Sequence, residues 1–272
     1  MSILGYDFMQ RALIAAALVG LLAPLIGVFL VQRRLALLGD GMGHVALTGV
    51  GLAFLLGTAP VPTAMATAAI GAFLIEFIRY RSRTAGDVAL ALLFYGGIAG
   101  GVLFASLAPG KASSSLNAYL FGSLSTVATG DVAALLVLCI AVIVLIAIFG
   151  RELFAVSLDS DLAAVQGIRV RVMSTLLAVL AAVAVVVGMR VVGLLLVSAI
   201  MIVPVAAAQQ LTRSFRSTAV VAVGLGILAC LAGLLVSASV EVPPGPTIVI
   251  VALGLFAALA LIAVPLRRRR HA

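Results

Sequence analysis

Residues 33–51 read RRLALLGDGMGHVALTGVG, and this stretch decides how the rest of the chain is to be taken. Arg33 and Arg34 close an apolar run that begins near residue 12, and beyond them a second apolar run opens with Asp40 and, four residues later, His44. The first run is too long for the apolar segment of a signal peptide, and it meets the arginines without a small-residue cleavage site. It is therefore expected to stay in the mature protein as a membrane span. Arginines between two apolar runs mark a short loop between spans, because guanidinium groups are held at the bilayer surface.

Outward from this stretch the pattern repeats. The 272 residues are 64% hydrophobic and 10% charged, with a mean hydropathy of +1.34, which excludes a soluble globule. Apolar runs of roughly 18 to 25 residues, each able to cross a hydrocarbon core about 30 Å thick, fill the chain. They lie near 12–31, 35–57, 61–78, 86–108, 132–149, 172–189, 191–209, 217–237 and 247–266. The expectation is one all-α polytopic membrane domain spanning 1–272, with no room for a soluble domain. In VVVGMRVVG (185–193) Arg190 alone separates two runs, so the count is eight or nine.

The net charge of +8 is spread over short loops and helix ends, without the basic face or aromatic interleaving of a nucleic-acid site. These arginines read instead as topology determinants facing anionic lipid. With the N-terminus outside, 14 of the 17 basic residues fall inside: Arg33, Arg34, Arg79, Arg81, Arg83, Arg151, Arg169, Arg171, Arg213, Arg216 and Arg267 to Arg270. Arg11, Lys111 and Arg190 stay outside, which predicts an N-out, C-in chain. Cys139 and Cys230, far apart and within apolar helices, read as packing residues. GGIAGG (96–101) reads as a close helix-packing face, with a place beside a substrate path as the other reading.

Most acids lie in connections or near helix ends, but Asp40 stands within an apolar run. A spacing of four puts Asp40 and His44 on one helical face, one turn apart. One reading is a structural Asp–His pair near a helix start, where the dipole favours the carboxylate. The other is an N/O site for zinc, manganese or ferrous iron. Two ligands fall short of the four that a tight zinc site takes, so Glu241, other oxygens, water or a second subunit must supply the rest. A weak, incomplete site suits transport, in which the ion has to leave again.

SLDSDLAAVQGIRVR (157–171) falls in the longest inner connection, about 150–171. It reads either as a solvated linker or as a short helix capped by Asp159 or Asp161 and ended at Gly167.

Taken together, RRLALLGDGMGHVALTGVG (33–51), LNAYLFGSL (116–124), DLAAVQGI (161–168), MRVVGLLLVSAIMIVPVAAAQQL (189–211) and EVPPGPTIVI (241–250) resemble the membrane permease subunit of ATP-binding-cassette importers for zinc, manganese and iron. The likeness covers almost the whole chain. It implies the ABC importer permease fold, a multi-pass protein of the prokaryotic cytoplasmic (inner) membrane, and pairing as a homodimer or with a second permease. It implies two cytoplasmic ATPase subunits and an extracytoplasmic metal-binding protein as partners. No permanently bound cofactor and no catalytic residue are implied, the ion being cargo. Asp40 and His44 match the acid and histidine of the ion path. Asp159, Asp161, Ala163 and Gly167 fall in the helix that couples the permease to its ATPase. The outer-turn position commonly held by Asp is Glu241 here, and a histidine of some zinc members has no counterpart near Tyr95.

Other classes are less compatible with these residues. Intramembrane proteases need HExxH, GxGD or GxSG, none of which is present. A secondary metal carrier stays open, because the chain has no nucleotide-binding motif, and so does a permease for a metal chelate, siderophore or vitamin.

Overall fold

The computed structural model describes residues 7–81, 86–109, 119–122 and 127–268; Arg83, Lys111, Arg269, Arg270 and His271 lie outside them. Among the described residues there are helices and no strands. That follows from a chain whose backbone N–H and C=O groups must be satisfied within each segment where lipid offers no partners. The helices are α1 (Asp7–Gln32), α2 (Leu38–Leu56), α3 (Pro60–Arg81), α4 (Gly86–Leu107), α5 (Thr129–Leu158), α6 (Ser160–Val165), α7 (Val170–Val192), α8 (Leu194–Leu211), α9 (Phe215–Val240) and α10 (Pro244–Arg268).

Eight of these are long and apolar enough to cross a membrane, and α8 is a shorter apolar helix. Arg190 does not end a span, because α7 continues to Val192 and only Gly193, at φ +88°, breaks the helix before α8. A side chain is disfavoured at that φ, and a Cβ on Gly193 would sit 2.5 Å from the Phe121 carbonyl carbon. Gly122 and Gly245 approach the same Val192 backbone, so the end of α7, the 119–122 segment and the start of α10 meet there. Pro24 and Pro204 lie inside α1 and α8, as neighbouring helices permit in a bundle.

The fifth span extends well past its expected end. Arg151 and Glu152 read as the close of a span at 149, yet α5 runs unbroken for 30 residues to Leu158. Charged side chains leave the lipid without breaking the backbone hydrogen bonds, and the helix ends only at Asp159, in extended conformation. The inner connection of 150–171 is thus largely helical.

The arginines gather at one end. Arg33 Nη2 donates to Ser174 Oγ at 2.9 Å, tying the end of α1 to the start of α7. Arg33, Arg79 and Arg171 line one cavity of about 850 Å³ together with Glu76 and Ser160. Arg190, paired with Asp131 at 2.9 Å, ties the end of α7 to the start of α5 at the opposite end. Cys139 and Cys230 are buried free thiols.

Candidate functional site

The segment 39–51 becomes the most enclosed helix of the bundle because its small residues admit neighbours on several sides. α2 contacts α3, α4, α7 and α8. GGIAGG is the α4 side of that packing. A Cβ on Gly97 would lie 2.6 Å from the His44 carbonyl carbon, so only glycine lets α4 come this close behind the histidine. Thr48 Oγ1 fixes the contact by donating to the Gly97 carbonyl at 2.8 Å.

Asp40 lies in the first turn of α2, where the dipole favours its charge, and His44 follows one turn later. His44 Nε2 stands 3.8 Å from Asp40 Oδ1, beyond hydrogen-bond length but close enough for both atoms to face one ion. The His44 side chain is 8% exposed and that of Asp40 27%, so the histidine is enclosed while the carboxylate keeps one open edge. Leu37, one turn before Asp40, is also exposed. Phe94 of α4 presses edge-on to the imidazole with ring centroids 4.4 Å apart, which limits its rotation. His44 Nδ1 is buried with no hydrogen-bond partner in the structure, an unusual state for a ring nitrogen.

The third polar group comes from a distant part of the chain. Ser198 Oγ donates to Asp40 Oδ1 at 3.3 Å. Ser198 stands 13 residues before the end of α8, about 20 Å along its axis, which places the contact well inside the bundle. Its signal in the sequence is a lone hydroxyl in LLLVSAIM, but nothing local says which helix it faces. Among the described residues no group of three or more His, Cys, Asp or Glu is assembled to hold a metal. Glu241 is not brought to the pair: it ends α9 as an exposed residue in left-handed conformation, φ 58°.

The 157–171 segment is ordered as a helix-turn. Asp159 is the N-cap of α6, its Oδ1 accepting from the Asp161 and Leu162 amides at 2.9 and 3.0 Å. Asp161 lies in the first turn and carries no capping role. Ala163 is buried against the bundle, and Gly167 turns the chain at φ +81°. The opposite side of α6 exposes Leu162 and, at 86%, Val165. Sequence reading missed these two apolar residues, because a six-residue helix is too short for periodicity to register.

Comparison with known proteins agrees with this architecture. The model of the ABC 3 transport family matches residues 5–263. The manganese import system permease protein ScaB of Streptococcus parasanguinis is 32% identical over 267 residues, covering 98% of this chain and 95% of that one. The manganese transport system membrane protein MntC of Halalkalibacterium halodurans is 33% identical, covering 94% and 87%. Among solved structures, PsaBC from Streptococcus pneumoniae in complex with Fab superposes with a TM-score of 0.84 at 31% identity, covering 94% of this chain and 91% of that one.

Proposed function

This chain belongs to the ABC 3 transport family, and on that footing we propose that it is the membrane permease subunit of an ATP-driven importer that carries a divalent transition-metal ion past Asp40 and His44. The observation that carries this reading is the enclosed pair, a carboxylate and an imidazole on one face of the most buried span, with a ring nitrogen left without a partner. An ion shedding water in a low-dielectric interior needs donors that replace its hydration. Asp40 supplies negative charge, His44 a neutral nitrogen, and Phe94 holds the ring in place.

Manganese is the favoured cargo, since the similar permeases named above are manganese importers, and the Asp40 carboxylate is a donor that suits it. Zinc and ferrous iron use the same donor types and are separated by the uptake measurement below. One chain supplies two of the ligands. In a twofold homodimer the open edge of Asp40 and the exposed Leu37 would face the partner's copies, and two pairs would give four ligands. Glu241, at the turn between α9 and α10, is assigned to the outer mouth of the path.

The permease is not an enzyme. ATP is hydrolysed by separate cytoplasmic subunits, which engage α6 through Leu162 and Val165, while Asp159, Asp161, Ala163 and Gly167 hold the helix in shape. An extracytoplasmic binding protein delivers the ion. The arginine-rich end faces the cytoplasm, with the N-terminus outside and the C-terminus inside the prokaryotic inner membrane.

The test is ATP-dependent uptake of manganese, zinc and ferrous iron by vesicles holding the chain with its ATPase. Asp40→Asn and His44→Ala should each reduce uptake to background with normal insertion. The carboxamide keeps shape and hydrogen bonding but loses the charge, so parental uptake by both variants overturns the assignment. Labelling of Ser160→Cys by an impermeant reagent outside intact cells would reverse the orientation.

A further inference from the structure

A groove of about 740 Å³ lies between α1, α5 and α9, apart from the metal path. Its wall is aromatic: Phe215 packs against Phe29 with centroids 5.1 Å apart and against Phe154 at 4.8 Å. Arg151 and Arg216 line the same groove, and neither forms an ion pair among the described residues. Two cations and no acid therefore meet an apolar wall.

The order of these groups along the bilayer normal is specific. Arg216 is the second residue of α9, and Val220, one turn further into the span, is 73% exposed. Arg151 lies 22 residues after the first residue of α5, about 33 Å along the helix, against a hydrocarbon core about 30 Å thick. With α5 entering the bilayer near Thr129, Arg151 and, across the groove, Arg216 would reach the depth of lipid phosphates, with apolar surface beneath them. A phospholipid presents the same order, phosphate above acyl chain.

We propose that this groove binds one anionic phospholipid, its phosphodiester between Arg151 and Arg216 and the upper part of an acyl chain along the phenylalanines. A soluble phosphate would leave the apolar wall unused. A second copy of this chain, which has a net charge of +8 and arginines gathered at the same end, would bring like charge to two unpaired cations. The inference depends only on the chain spanning a membrane, not on the metal assignment.

The sequence contains no tryptophan, so Val220→Trp places a single fluorophore in the groove of the full chain. In reconstituted vesicles, quenching by acyl-brominated phosphatidylglycerol is compared with quenching by acyl-brominated phosphatidylcholine. We expect the anionic lipid to be preferred about fivefold or more, the effect of one to two interfacial arginines. Adding Arg151→Gln and Arg216→Gln should bring the ratio near one, whereas Ile250→Trp, on exposed α10 surface, should show no preference in either background. Ala147→Trp, on the α5 wall of the groove, repeats the reading should Val220→Trp insert poorly. Equal quenching by the two lipids, a preference that survives loss of both arginines, or a tryptophan that neither lipid reaches because protein covers it would each overturn the proposal.

Discussion

α2 carries the Asp40–His44 pair and α5 leads into the 157–171 segment, and the surroundings of the two helices are nearly opposite. In the most apolar window of α2, 72% of the residues are buried within the chain, against 17% for α5. α2 is crowded because its glycines let α3, α4 and α8 approach, and the crowding holds an imidazole and a carboxylate in one orientation. α5 leaves most of its surface outside the chain's own packing and leads into the short helix α6, which exposes Leu162 and Val165. On the proposed function, substrate handling is organised by this chain's own packing, whereas coupling depends on surface left open for a partner.

The sharpest way to break that comparison is the same kind of substitution on both helices. Gly97→Val drives a side chain into the His44 backbone and should cost about 1–3 kcal/mol as overpacking and abolish uptake. Val137→Phe, at an exposed site on α5, should leave both nearly unchanged. Thermal unfolding in detergent and vesicle uptake measure the pair, and equal effects would remove the contrast.

Next in size is the coupling segment. Gly167→Pro imposes φ near −65° where the chain needs +81°, and Ala163→Asp buries an unpaired carboxylate. Transport should fall to background with the spans still inserted, read as loss of metal-stimulated ATPase activity. Unchanged transport and ATPase association in both variants would remove α6 from the coupling path.

Thr48→Val, which deletes the hydroxyl that donates to the Gly97 carbonyl, should destabilise by about 1 kcal/mol and lower uptake only partly. The smallest effect is expected at the rim. Arg190→Gln breaks the pair with Asp131, whose arginine is 38% exposed, and should cost less than about 1 kcal/mol, seen as a shift in unfolding midpoint that vanishes in high salt.

Much of this was legible in the sequence because membrane constraints are strong. The spans follow from run length, and the Asp40–His44 face follows from a spacing of four. Ser198 was not legible as a partner of Asp40, since 158 residues separate them and only packing of α8 on α2 joins them. The length of α5 was missed because Arg151 and Glu152 mark where lipid ends, which is not where helical hydrogen bonding ends. Glu241 shared carboxylate chemistry with the site, but its turn between α9 and α10 fixes it elsewhere.

The uninterrupted course of α5 also has a mechanical consequence. Its 30 residues extend about 45 Å, roughly 15 Å more than the hydrocarbon core requires. The surplus continues as one unbroken helix toward α6, where Ala163 still packs against the bundle. In the proposed coupling role, a push delivered there would act with a long moment about the membrane plane, so a small tilt of the helix would become a sideways displacement at its tip. The same rigidity would return the motion to the opposite end, where Asp131 pairs with Arg190. On that reading a stroke made in water on one side would be felt on the other without any span having to slide through the lipid.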